Sequence, residues 1–460
     1  MTCVPNVGRR GPQLGLWVLL SCGALGSTVA AADWPHWRGP NGTGTTSETN
    51  LPVRWSATEN VAWKAPISGL GVSSPIVLGD RVIVTSQLGA GVRAAGDHPR
   101  LVRGGNAAEA GERAIDASRA ALPGGRTAFV VEAFHRADGR RLWHYRFDAE
   151  GPLPGVHDKH NLASPSPVTD GQRVYAWFGT GQIVALDLDG RLVWQRHLGK
   201  DVAPFVVNWG HTSSPMVFGD TVILLADHEP ASYLLAVDAR TGRDRWKADR
   251  GKGRVSYSTP LVVTTATGPE LIVNSSERVD AYDPRNGAPL WHVGGANGYP
   301  IPMPVFHDGI IYMSRGYRSS PYMAVRPGGR GDVAKTHVVW ESLTGAPYIS
   351  SLVYDAGLLY MATDVGGVTV VDAKTGQRTS QQRIDGVFSA SPVAADGKIY
   401  FVSETGETIV LQAGRTPTVL ARNDLGERSI ASPAISNGQI FIRTDDHVFA
   451  IGTTARRATE

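Results

Sequence analysis

Two short stretches carry most of the side chains that could do chemistry. GVHDKHNLASPSP, residues 155–167, holds His157, Asp158, His160 and Asn161 within five positions, and VNWGHTSSP, residues 207–215, holds Asn208, Trp209 and His211. Imidazoles titrate near neutrality and ligate metals, so three of them brought together could bind a ligand or an ion. The competing reading is that these polar groups only tie loops down by hydrogen bonds. A third stretch, MSRGYRSSPYMAVRPGGRGD, alternates Arg315, Tyr317, Arg318, Tyr322 and Arg326. Guanidinium forks beside phenol rings suit a small polar, anionic or sugar-like ligand, held by charge-assisted bonds and stacking. The same residues also suit a solvated loop whose arginine stems rest on aromatic rings. Arg254, Tyr257 and Tyr348, with Asn274 and Glu277, are weaker candidates for the same site. Asp227, His228 and Glu229 are consecutive, and strand geometry sends neighbours to opposite faces, so no metal site is expected there. No serine–histidine–aspartate order, phosphate loop or zinc spacing is present, and no catalytic residue is assigned.

The elements that position these groups are strands. The chain has 460 residues with 54 Gly and 29 Pro between short Val/Ile/Tyr-rich runs. With 45 basic and 42 acidic residues it builds no single-sign patch, so nucleic acid is not expected as a partner. Residues 1–32 read as a signal peptide: Arg9 and Arg10, an apolar LGLWVLL run, and small residues ending at Ala30 and Ala32. The sequence Leu19-Leu20-Ser21-Cys22 offers a second reading, a lipoprotein box with a lipid anchor at Cys22. Either reading makes the protein exported, periplasmic or otherwise outside the cytoplasm. No other run approaches the ~20 apolar residues of a membrane-spanning helix. Cys3 and Cys22 are the chain's two cysteines. A mature chain cut after Ala32 therefore carries no disulfide and no cysteine metal site.

A phrase recurs in this β-rich chain. Gly139, Gly190, Gly242 and Gly287 are each followed four residues later by Trp143, Trp194, Trp246 and Trp291, and most copies open on an aspartate, as at Asp187, Asp238 and Asp283. The aspartate caps turn N–H groups and the glycine takes a positive φ. Trp63 and Trp340 take the same anchoring role. Ahead of the anchors comes a strand–turn–strand unit, eight times in all, five of them opening on Ser-Pro and the others on Thr-Pro, Met-Pro and Ser-Leu, with prolines from Pro167 onward 48, 45, 44, 88 and 41 residues apart. The interval of 88 is two units, because the sixth copy has Leu352 in place of proline. A period in the forties with four strands per unit predicts an all-β, eight-bladed β-propeller with four antiparallel strands per blade. The last unit has three strands, so ENVAWKAPI (59–67) should supply its fourth and close the ring. The domain plan is then a leader (1–32), an N-terminal extension (33–58), the propeller (59–452) with an insertion at 88–127, and a polar tail (453–460).

The Asp238-x-x-Thr241-Gly242-x-x-x-Trp246 phrase resembles the tryptophan-docking repeat of pyrroloquinoline-quinone-like propellers. That superfamily includes quinoprotein dehydrogenases and the propeller lipoprotein of the outer-membrane β-barrel assembly machinery. The resemblance implies the fold, with each tryptophan packed between neighbouring blades. For function it implies two classes: a non-catalytic exported scaffold or ligand-binding module with an envelope protein as partner, or a quinone-dependent oxidoreductase with its site over the channel. Quinoproteins hold pyrroloquinoline quinone with calcium, often against a disulfide of adjacent cysteines; the disulfide has no counterpart here and no matching carboxylate trio is evident, so no cofactor is assigned.

Overall fold

Runs such as TVILLA (Thr221–Ala226), apolar on both faces, are stable only between two other layers, and the chain provides them by stacking its sheets side by side. The structure is a computed structural model that describes residues 1–2, 33–94, 114–317 and 321–453. The leader with Cys22, the middle of the insertion, Arg318 and most of the tail lie outside the described residues.

Eight antiparallel sheets follow in sequence, each running from an innermost to an outermost strand. Blade 1 runs from Ile76–Leu78 to Arg141–Asp148, and blade 2 from Val168–Thr169 to Leu192–His197. Blade 3 spans Met216–Phe218 to Asp244–Gly251, and blade 4 spans Leu261–Thr265 to Pro289–Val293. Blade 5 runs from Val305–His307 to Val338–Ser342, blade 6 from Val353–Asp355 to Arg378–Arg383, and blade 7 from Val393–Ala395 to Thr418–Asp424. Blade 8 begins at Ala434–Ser436 and is completed by Val61–Pro66, which pairs antiparallel with His447–Ile451. The closure expected for residues 59–67 is therefore what the chain does, and it leaves the ring without an open seam.

Two devices repeat around the ring. The first is the docking of tryptophan on glycine. The indoles of Trp63, Trp143, Trp194, Trp246 and Trp340 lie on Gly139, Gly190, Gly242, Gly287 and Gly376 of the following blade, so close that a methyl there would meet the ring within 2.8 Å. Each indole N–H donates to a carbonyl of that turn, those of Arg136, Leu188, Ala239, Pro284 and Ala373. The glycine is thus required twice, for its positive φ and for the missing Cβ. Trp291 departs from this pattern: it is buried, but its N–H goes to Glu270 of its own blade. The turn that should receive it is replaced by an excursion whose Gly331–Asp332 strand pairs parallel with Trp291 and His292. Between blades 6 and 7, where Ser380 stands in the tryptophan position, Gly414 N–H donates to the Tyr360 hydroxyl instead.

The second device explains the serines that open the inner strands. The backbone N–H of Ser74 donates to Ser166 Oγ, Ser166 to Ser214, and Ser214 to Thr259. Met303 continues to Ser351, Ser351 to Ser391, Ser391 to Ser432 and Ser432 back to Ser74, every link 2.9 to 3.0 Å long. The belt is broken once, between Thr259 and Met303, because methionine offers no hydroxyl. Each link satisfies a buried N–H that strand pairing leaves over, a net contribution of about 1 kcal/mol.

Residues 33–58 cross the ring. Trp34 pairs with Val77 of blade 1, Pro35 O accepts from Thr169 N–H of blade 2, and Glu48 accepts the N–H groups of Asn437 and Gly438 in blade 8. Between them Arg38 reaches the carbonyls of Leu352 and Pro392 in blades 6 and 7, and Trp37 donates to Ser432 of the belt. This segment places an indole at one end of the axial channel.

Candidate functional site

The loops that lead into the inner strands meet around a cavity of about 190 Å³ on the axis. Its wall includes belt residues Ser74, Ser166, Ser214, Ser391 and Ser432, and Trp37 stands among them. The mouth is an arc of rings from successive linkers. His157 and His160 are parallel with centroids 6.3 Å apart, and Trp209 presents an edge to His157 at 6.0 Å. Tyr257 follows, 6.3 Å from Tyr299; Tyr299 is 5.3 Å from Tyr317, which is 4.9 Å from Tyr348. Opposite the arc, Lys159 reaches across the axis to Glu404 of blade 7 at 3.0 Å, and Ser389 donates to the same carboxylate at 2.5 Å. Asp364 of blade 6 accepts the N–H groups of Tyr348 and Ile349.

Burial controls the protonation of these groups. Desolvation pulls His160 down to about 4, with the neighbouring His157 adding to the effect, so the ring is neutral at ordinary pH. Asp364 is pushed up to about 6 by burial, against the two backbone N–H groups that favour its anion. Burial also raises the phenols of Tyr257 and Tyr348, which stay protonated.

The structure brings together only some of the residues singled out from sequence. His157, His160, Tyr257 and Tyr348 line the cavity and Tyr317 stands against Tyr348, whereas Arg318 lies outside the described residues. Asn161 is buried and spans two loops, donating to Leu70 O and accepting from Ala163 N–H. Asn208 takes part through its carbonyl, which accepts the Tyr257 hydroxyl, and it borders an outer groove, not the channel. His211 points away from the axis into the packing between blades 2 and 3, 1% exposed under Trp177, with its ring bonded to Ser213 O and to His228. Arg254 is held by Asp280 and Glu277. Arg315 is 1% exposed and gives its guanidinium N–H groups to Asn274 Oδ1, Ser275 O and Gly295 O. It is an inter-blade clamp, not an anion receptor, because it is buried with three of its N–H groups given to blade 4 and the linker after it. Asp227, His228 and Glu229 follow the strand Thr221–Ala226 and lie outside it; Asp227 is paired with Arg250 and His228 with His211, so separate partners divide the triad.

Lys159, Glu404, Asp364 and Tyr299 are the residues that sequence reasoning passed over. Lys159 stands inside the histidine stretch, but its partner is 245 positions away and no spacing connects them. Among the described residues the cavity wall carries one ammonium, already paired with Glu404. A planar tricarboxylate quinone would meet Lys159 as the one ammonium on this wall, and no step is derived through it.

The buried histidine pair makes a prediction about acid. Burial pulls His228 down to about 3 and His211 well below its ordinary value. The unfolded chain takes up these protons near pH 6.5 and the folded chain does not, so stability is lost as pH falls below that value. Asp364, raised to about 6, works in the opposite sense below pH 6. His228→Gln should therefore lose about 2 kcal/mol less stability than the parent between pH 6.5 and 4.5, read by urea unfolding at each pH. Parallel pH profiles would contradict this.

A second concavity, about 800 Å³ and open to solvent, lies outside the mouth. Residues 150–154, the 204–209 segment and the short ribbon of Val92–Arg93 with Gly155–Val156 border it. Val92 and Val206 are 45% and 48% exposed on its rim, and Pro152, Pro154 and Pro204 stiffen its edges.

The family described as outer membrane protein assembly factor BamB matches residues 127–321, 329–419 and 364–457. The assembly factor of that name from Yersinia pestis is 23% identical over 306 residues, covering 63% of this chain and 73% of its own. A tetrathionate hydrolase from Acidithiobacillus ferrooxidans is 24% identical over 291 residues, 59% of this chain, and the match spans about half (53%) of the hydrolase. Among solved structures, BamB from Moraxella catarrhalis superposes with a TM-score of 0.52 at 16% identity, over 72% of this chain and 90% of that one, a likeness of fold.

Proposed function

Because the chain belongs to the family of outer membrane protein assembly factor BamB, we propose that it acts by binding, as an exported scaffold that holds another protein of the cell envelope. The observation that carries the reading is the proline-edged groove between blades 1 and 3. Exposed valines on a rigid apolar concavity are what a docking site offers, since solvent-exposed apolar surface of this kind is costly unless something covers it. The leader sequence supports export. The test is capture from an envelope extract with wild type and with the Val92→Glu/Val206→Glu double variant, partners being identified by mass spectrometry and mapped by cross-linking. A partner cross-linked to the groove and recovered at least tenfold less by the variant is expected. Equal recovery by both proteins would remove the groove from the reading.

An enzymatic role is the second reading, and the similarity to a tetrathionate hydrolase favours it. Its place would be the channel mouth, where Lys159 and His160 line the cavity and Glu404 is paired with Lys159 behind them. Ser164 Oγ lies 2.9 Å from His160 Nδ1 and donates to Asn161 O at 2.6 Å, so its proton is directed at the carbonyl and not at the imidazole. Loss of tetrathionate in the presence of purified protein, or dye-linked oxidation of alcohols after addition of pyrroloquinoline quinone and calcium, would establish it in place of the binding reading.

A further inference from the structure

We propose that the channel mouth binds a small organic ammonium ion, held against the tyrosine arc with the Asp364 carboxylate behind it. The inference stands apart from the docking groove and does not depend on an envelope partner.

Three observations carry it. The first is the wall. Tyr257, Tyr299, Tyr317 and Tyr348 form a continuous chain of ring contacts, and His157 and Trp209 extend the arc. Aromatic faces attract cations through their quadrupole, most strongly where water is excluded, and a cage of several rings suits alkylated ammonium groups. The second is charge. On the wall itself Lys159 is matched by Glu404, and behind it Asp364 accepts the N–H groups of the lining residues Tyr348 and Ile349. Asp364 forms no ion pair among the described residues, so its carboxylate is the one a cation resting on the tyrosine arc would face. An anionic ligand would find its most obvious receptor, Arg315, sealed in the wall. The third is backbone strain. Trp209 and Tyr299, both on the cavity wall, hold φ of +72° and +53°. Bulky residues avoid this region at a cost of about 1–3 kcal/mol, and such strain persists where the side chain must point in a given direction. Here both aromatic groups are turned towards the axis.

Trp37 closes the far end, so a ligand enters past the arc and comes to rest on belt residues and on Ile301, Ile349 and Ile430.

The test is calorimetric titration of the purified full chain at neutral pH with choline, tetramethylammonium, dimethylbutanol (the uncharged carbon isostere of choline) and glucose. Choline should bind at least tenfold more tightly than its isostere. Asp364→Asn and Tyr348→Ala should each weaken choline by tenfold or more without changing the thermal midpoint. Equal affinity for choline and the isostere, binding of glucose with silence for both ammonium ions, or no binding at all would overturn the proposal. If Asp364→Asn disturbs its loop, the charged-against-neutral comparison on the wild-type chain still decides the matter.

Discussion

Trp194→Ala should lower the unfolding free energy by ~3–5 kcal/mol, and Gly242→Ala by ~2–5, but the double variant should cost about 1–3 kcal/mol less than their sum. The indole of Trp194 is 9% exposed, donates to Ala239 O at 3.0 Å and covers Gly242, where a Cβ would lie 2.8 Å from the ring. Removing the indole loses buried aromatic area and a hydrogen bond and leaves a cavity between blades 2 and 3. Adding the methyl has two separable costs: about 1–2 kcal/mol for an L-residue at φ +69°, and a further ~1–3 for displacing the indole. With the indole gone only the first remains. Gly219 provides the control, because it has φ +57° and a methyl added there would have nothing within 4 Å, so Gly219→Ala should show the conformational cost alone. Urea unfolding of the four proteins of the cycle reads the coupling. Additivity within about 0.5 kcal/mol would mean that the glycine recurs for its φ alone and that docking does not hold the blades together.

The propeller was legible because its determinants are local and repeated. Most blades carry their own turn, glycine and anchor within a dozen residues and a Ser-Pro or related opening, so the period appears in one dimension. The closing strand was legible by subtraction, since the eighth unit lacked a strand and Trp63 stood near the start of the mature chain. What escaped was whatever occurs once. Residues 33–58 make their contacts with blades hundreds of positions away, and DWPHWRG repeats nowhere that a period could reveal. At the site, position within the repeat indicated which linkers reach the axis, and His157, His160, Tyr257 and Tyr348 are there. Side-chain direction was not legible. His211 and Arg315 sit in equally suitable linkers but turn into the space between blades, where His228 and Asn274 receive them. Trp291 fails as a docking anchor because the next blade lost its turn to an excursion, a change visible only as the irregular RPGGRGD.

Arg38→Met should destabilise the protein by about 3–6 kcal/mol and selectively expose the backbone of residues 34–45 to hydrogen exchange. The guanidinium is 1% exposed and donates to Thr43 O at 2.8 Å, Leu352 O at 2.7 Å and Pro392 O at 2.8 Å. Burial pulls its pKa down to about 9, and no nearby carboxylate offsets that desolvation. Three carbonyl dipoles from the crossing segment and two blades therefore carry the charge. Methionine fills much of the volume and removes the charge, but it leaves three buried acceptors each short of a donor, at ~1–2 kcal/mol apiece. Arg38→Lys keeps the charge on a point donor that cannot reproduce the planar fork, so it should restore only part of the loss. The exchange pattern separates a local from a global effect. Trp34–Val77 pairing and the Gly44 N–H bond to Arg38 O depend on the crossing segment, whereas the inner-strand belt does not pass through Arg38. Faster exchange at Trp34 and Gly44 with unchanged protection at Ser166 and Ser391 would show the channel unstoppered while the ring stays closed. A loss below about 1 kcal/mol with unchanged exchange would mean that Trp34, Trp37 and Glu48 suffice to hold the segment across the axis.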